Sequence, residues 1–145
     1  MWTGRNKAQA LKEFLQGAFA RFVEAVPHRL ESTNIRMLLG DATLVIDCTD
    51  NAATRCLIQS FVRENNIPCL HGAVSADGTF GRVIWDQDFV PDEEGVAGAP
   101  TCEGGEALPF FALMGAQVAL VAQQFLTTGR RFSYQMTPTS LMRVA

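Results

Sequence analysis

Helical and β-rich stretches alternate along this chain, which calls for an α/β fold with a mostly parallel sheet flanked by helices. Three observations carry that expectation. The run Thr43 to Cys48 is β-rich and apolar on both faces until Asp47, as suits a central parallel strand. An amphipathic stretch over 51–65 follows at once, and a short apolar strand over 67–70 follows that. The chain closes on two β-rich runs, 132–135 and 141–144, around Thr137-Pro138, which read as an antiparallel pair.

Each element has its own local signal. Ala8, Leu11, Leu15, Ala18 and Phe19 recur at helical spacing, and Gly17 suits the C-cap of that helix. Phe22 to Val26 reads as a short strand closed by Pro27. Ser32-Thr-Asn can cap a short helix that runs through Leu39 and stops at Gly40-Asp41. In the helix over 51–65, Ala53, Cys56, Leu57 and Phe61 fall on one side. His71-Gly72 marks the exit of the next strand, and Arg82 to Trp85 alternates as a strand after the Gly78–Gly81 turn. Residues 86–108 carry seven acidic side chains among glycines and prolines, a long irregular loop whose acids read most simply as solvated. An apolar helix from about Pro109 to Thr128 is ended by Gly129.

The 145 residues suit one domain with a real core. Hydrophobic residues make up 48% and charged ones 19%, which excludes a disordered chain. A net charge of −3 argues against a nucleic-acid or anionic-membrane surface. The most apolar run, Phe110 to Leu126, contains three glutamines and is short for a membrane span, so it is expected to be a buried helix. No secretory leader opens the sequence, so a cytoplasmic location is expected. Cys48, Cys56, Cys69 and Cys102 form no Cys-x-x-Cys pair, so a zinc knuckle is not expected. The first three sit among apolar residues and are expected to pack as small hydrophobes; Cys102 lies in the polar loop.

The chemistry concentrates in Val45-Ile-Asp-Cys-Thr-Asp-Asn51 and Arg55. In open α/β sheets ligands bind outside the carboxyl ends of the strands, and this stretch lies at such an end. Asp50 stands where it can cap the helix that follows. Asp47 is expected to brace nearby backbone donors. Arg55, one turn into the helix, is either a solvated side chain or one that reaches back to the acidic motif. His28 and His71 have no partner spacing for a metal or a triad.

The Asp-Cys-Thr-Asp-Asn-x-x-x-Arg motif resembles that of the ThiF/MoeB/HesA family, the bacterial relatives of ubiquitin-activating (E1) enzymes. Gly4-Arg-Asn-Lys-Ala8 resembles the family's Gly-x-x-Lys-Ala, Cys69-Leu-His-Gly-Ala-Val74 its strand ending in Gly-Ala, and Pro100-Thr-Cys102 the cysteine of its crossover loop. The resemblance implies a Rossmann-like sheet and residues 1–145 as one adenylyltransferase domain, with 86–108 as the crossover loop. It implies ATP- and magnesium-dependent adenylation of the C-terminal carboxylate of a ubiquitin-like or sulfur-carrier protein ending in Gly-Gly. Asp50 would hold magnesium and the phosphates, Asn51 and Arg55 would belong to the nucleotide site, and Lys7 would neutralise phosphate charge. Cys102 would be the nucleophile that takes the acyl group.

In that family a unit with the Gly-rich ATP loop precedes the lysine motif, and Gly78 and Gly81, which open no helix, do not replace it. The sheet is therefore expected to be incomplete on its N-terminal side, with an open edge that a partner chain or a second copy completes. The competing expectation is a non-catalytic E1-like subunit that recognises or completes a partner protein. The dinucleotide fingerprint is missing, which sets a nucleotide-binding oxidoreductase well behind both.

Overall fold

The computed structural model describes residues 4–75, 77–91 and 107–144. Two compact units make up the chain, Met1–Leu30 and Glu31–Ala145.

In the first unit, α1 runs from Lys7 to Phe19. The Asn6 side chain caps it, accepting from the backbone N–H groups of Ala8 at 3.0 Å and Gln9 at 3.3 Å. Gly17 is inside the helix, and the left-handed cap is taken by Ala20, at φ 49°. The strand expected over Phe22–Val26 does not form. A strand needs a paired neighbour for its backbone groups, and the described part of this unit has no other strand.

The second unit holds the sheet. Helix α2 (Ile35–Leu39) precedes β1 (Val45–Asp47), and α3 (Ala52–Glu64) crosses from β1 to β2 (Cys69–Val74). Strand β3 (Gly81–Trp85) returns beside β2, a single turn of 3-10 helix (Asp86–Asp88) follows, and α4 (Leu108–Thr128) leads to β4 (Ser133–Thr137) and β5 (Ser140–Val144). The five strands lie in the order β1-β2-β3-β4-β5.

The α/β layering and the C-terminal antiparallel pair are as expected, whereas the parallel share of the sheet is smaller. Only β1 and β2 pair in parallel; β2–β3, β3–β4 and β4–β5 are antiparallel. Connection length explains β2–β3. Ser75 and Phe80 close a tight turn, with the Ser75 N–H on the Phe80 carbonyl at 2.8 Å, and a turn that short reverses the chain. Strand β1 is thereby an edge of the described sheet, not a central strand, and Ile46 is about half exposed.

Period two sorts the strand residues onto two faces. Leu70, Val83, Trp85 and Met136 meet Phe110, Met114, Val118, Val121 and Ala122 of α4 in the main core. Trp85 anchors the far end, its indole N–H donating to the Phe132 carbonyl at 3.2 Å and its ring 4.8 Å from Phe125. Gly129, at φ 72°, caps α4 as expected. By length and composition α4 could cross a membrane, but one face is core. The expectation of a buried helix holds for that face alone, because Leu113, Leu120 and Leu126 on the other side are exposed.

The opposite face of the sheet carries Val45, Asp47, Cys69 and His71. Here α3 contributes Ile58, Phe61 and Val62 as its buried residues. Ala53 and Cys56 are exposed, so the buried stripe of α3 is turned from the one its pattern suggested. Of the three cysteines expected to pack as hydrophobes, Cys69 does so, while Cys48 and Cys56 are exposed thiols.

Leu70 is fully buried and Leu141 about half exposed. Leu70→Ala is expected to lower the unfolding free energy by about 2–5 kcal/mol, and Leu141→Ala by less than about 0.5 kcal/mol. Urea denaturation followed by far-UV circular dichroism checks the contrast.

Candidate functional site

At the carboxyl end of β1 the chain leaves the sheet, bends through Cys48-Thr49-Asp50 and enters α3. Three side chains make that bend. Asp47 Oδ1 accepts from the Thr49 N–H at 2.9 Å and from its hydroxyl at 2.7 Å. The Arg55 guanidinium, coming back from the first turn of α3, donates through Nε at 2.7 Å and through Nη2 to the Thr49 carbonyl. Asn51 caps α3, its Oδ1 accepting from the Thr54 N–H at 2.9 Å. Thr49 is thus held at both its N–H and its C=O, and the bend has little freedom.

Asp50 lies between those clamps. The cap belongs to Asn51, so Asp50 is not the capping residue. Its carboxylate is exposed and makes no hydrogen bond or ion pair with the described residues. An uncommitted carboxylate on a rigid strand-to-helix bend suits a hard cation that brings most of its own ligands. Among the described residues no group of three or more His, Cys, Asp or Glu is arranged to hold a metal by itself.

The other expected site residues are distributed as follows. Arg55 reaches the acidic motif through its backbone, and its guanidinium also stands 5.9 Å from the centre of the Phe89 ring. Asn51 sits beside Asp50 with its Oδ1 committed to the cap. Lys7 is the exposed first residue of α1, in the N-terminal unit. Cys102 falls outside the described residues.

Two further residues were not legible from spacing. The parallel register sets Asp47 directly beside His71, and His71 Nδ1–H donates to Asp47 Oδ2 at 2.8 Å. On the far side of the same ring, Nε2 stands 3.0 Å from Asp86 Oδ1. Asp86, expected to be a solvated acid of the long loop, is largely buried. Arg63 Nε donates to its Oδ2 at 2.7 Å, and Gln59 Nε2 to its Oδ1 at 3.0 Å. The correction has a simple cause: Asp86 directly follows β3, which returns beside β2, so it is carried to the face where His71 and α3 lie. The available signal was the placement of a histidine inside an apolar β-rich run.

These contacts set the charge states. Burial works against ionisation of Asp47, but hydrogen bonds from His71 and Thr49 outweigh it and hold its carboxyl below the usual range. Burial also opposes ionisation of Asp86, and Arg63, His71 and Gln59 together outweigh it in the same direction. Burial and the carboxylates of Asp86 and Asp47 push the Cys69 thiol up to about 12. Cys48, exposed at the surface, is still raised by the partial desolvation of its thiol and by Asp47. Neither is a thiolate at neutral pH, so neither is an activated nucleophile.

Residues 2–139 match the ThiF family. This chain belongs to that family. Among curated relatives, the adenylyltransferase and sulfurtransferase UBA4 of Meyerozyma guilliermondii is 30% identical over 132 residues, covering 86% of this chain and 31% of the relative. The SAMP-activating enzyme E1 of Haloferax volcanii is 32% identical over 72 residues, covering 49% of this chain and 27% of the relative. The fold also matches that of E. coli MccB, solved with AMPCPP and MccA, at a TM-score of 0.71 and 12% identity over 97% of this chain and 48% of that one. PaaA gives a TM-score of 0.62 at 12% identity, covering 97% of this chain and 55% of that one. The chain therefore spans about a third or less of the curated relatives it matches and about half of the solved ones. It is an α/β, E1-like Rossmann fold of the ThiF kind.

Because both folded-state carboxyls lie below their unfolded values, their contribution to stability is present above the unfolded carboxyl range. It is lost as pH falls below about 4. Asp86→Asn removes one of the two groups and should flatten the acid limb. Thermal midpoints of the variant are expected to fall less steeply than those of the parent between about pH 5 and 3; parallel curves would contradict the assignment.

Proposed function

We propose that this chain supplies the acidic-loop part of an E1-like adenylyltransferase. It would use ATP to activate the C-terminal carboxylate of a ubiquitin-like or sulfur-carrier protein ending in Gly-Gly. The observation that carries the reading is Asp50: an exposed, uncommitted carboxylate on a bend clamped by Asp47, Asn51 and Arg55 at the carboxyl end of β1. The adenylyltransferase UBA4 and the SAMP-activating enzyme among its relatives, and MccB solved with AMPCPP, support the same chemistry.

In adenylation a carboxylate oxygen of the carrier bonds to the α-phosphorus as the bond from that phosphorus to the β-phosphate oxygen breaks, so pyrophosphate leaves. The polyphosphate is strongly anionic, and both attack and departure are eased when its charge is neutralised in place. Asp50 would hold a magnesium ion, which when bound supplies that neutralisation. Asn51 keeps its amide N–H groups for the nucleotide while its oxygen caps α3, and Arg55 fixes the bend. Cys102 would then take the acyl group, its sulfur attacking the carbonyl carbon as AMP leaves.

Among the described residues, strand β1 is paired on one side only. An open edge beside the site suits completion of the sheet by a further segment, a partner chain or a second copy, with the remaining nucleotide contacts coming from it. The same edge favours the second reading, an E1-like subunit whose task is to bind and complete a partner rather than catalyse.

Carrier-dependent exchange of pyrophosphate into ATP separates the two. With the carrier present, and with any chain that completes the sheet, exchange is expected. Asp50→Ala should lower it by roughly 100-fold or more without moving the unfolding midpoint, since among the described residues Asp50 makes no hydrogen bond or ion pair. Unaltered exchange in that variant, or none in the parent under any combination, would leave the binding-subunit reading standing. Cys102→Ala should spare exchange and abolish any thioester.

A further inference from the structure

His71 is 1% exposed and stands in line between two carboxylates, Asp47 on β1 and Asp86 after β3. Phe89 stacks on the ring at 4.1 Å and 9° from parallel, covering one face from water. The groups around it are Asp47 from β1, Cys69 on β2 with Sγ 3.6 Å from Nε2, Asp86 from the 3-10 turn, and Arg63 from α3, which pairs with Asp86 at 2.7 Å. A neutral imidazole has one N–H and one lone pair, so with both carboxylates ionised one contact would set a lone pair against an anion. Two donors are needed. Counting charges points the same way: Asp47, Asp86 and the half-exposed Arg63 sum to −1, and an imidazolium brings the cluster to zero.

From the ring the contacts lead to the candidate site. Asp47 gives one oxygen to His71 and the other to Thr49, and Arg55 holds the opposite end of Thr49 while facing Phe89, the ring that covers His71. We infer that His71 is a positioning residue, a buried imidazolium whose two N–H groups tie the Asp47–Asn51 bend to the segment after β3 and so set where Asp50 stands. The inference rests on the adenylation reading for its functional consequence and not for its geometry. Without the imidazolium, Asp47 and Asp86 face each other across an uncharged gap, Asp47 can turn away, and Thr49 loses its acceptor.

The first test needs no activity. In protein labelled with ¹⁵N-histidine, the ring of His71 should show two protonated nitrogens at pH 7, His28 being the only other histidine. A single N–H on His71 overturns the inference. The second test is His71→Gln, whose amide can donate to Asp47 but turns its oxygen toward Asp86. Carrier-dependent exchange should fall roughly 10- to 100-fold in kcat, with KM for the carrier little changed. Adding Asp86→Asn to that variant restores a neutral network, because the amide introduced after β3 can donate to the oxygen of the introduced glutamine. The double variant should recover at least half of the lost rate on a logarithmic scale. A packing role alone predicts no such rescue, and its absence refutes the inference. If the parent shows no exchange, the proposed function fails by itself. Hydrogen exchange at the Thr49 amide then decides positioning: slow in the parent, roughly tenfold or more faster in His71→Gln and slowed again in the double variant. Equal rates in all three overturn it.

Discussion

The register of one parallel strand pair governs this site. Because Val45, Ile46 and Asp47 lie against Cys69, Leu70 and His71 in that order, the last residue of β1 is placed beside a buried imidazole. A shift of one residue would turn Asp47 to the opposite face, where Leu70 and α4 form the apolar core. The register is held by Leu70 and Val45, both buried on opposite faces of the sheet, so the core and the site cannot be set independently. Burying a carboxylate costs several kcal/mol unless its oxygens are satisfied. Asp47 meets that condition with three donors, two of them from Thr49 and one from His71.

What that arrangement achieves is a division of labour between two aspartates three positions apart. Asp47 is consumed by structure: both oxygens are bonded and its side chain is inaccessible. Asp50 is left without a bonded partner among the described residues. The bend is closed by Asp47 from below and by Arg55 from α3, so Asp50 need not contribute to holding its own backbone. A carboxylate meant for an incoming cation is best served by such a support, since an aspartate that had to cap its own helix would exchange one interaction for the other. Asn51 takes the cap in its place.

The apolar layer has a comparable division. Helix α4 spends one face on Leu70, Val83, Trp85 and Met136, and its other face is left with exposed leucines. Its composition alone, apolar nearly all round, is compatible with full burial or with a membrane. Only the packing of Met114, Val118 and Val121 on the sheet tells the faces apart. Strand β1 shows the same limit, since an apolar run reads as central while one side of it is unpaired among the described residues. Phe22 to Val26 shows it in reverse: β-propensity with no other strand in the described part of its unit produced no strand.

The chain's own residues determined a good deal. Helix spacing, the Gly129 cap, the short turn before β3, the C-terminal strand pair and the Asp-Cys-Thr-Asp-Asn bend were all legible, because each depends on residues within a few positions of one another. That Asp47 is structural was legible in outline for the same reason. Tertiary structure decided the rest: which aspartate caps nothing, where Arg55 points, which cysteines are buried, and above all that His71 and Asp86 meet. Those residues lie 24 and 39 positions beyond Asp47, a separation that no local pattern spans. They are brought together by strand register and by the return of β3, and a buried charge acquires meaning only when all of its partners are in place.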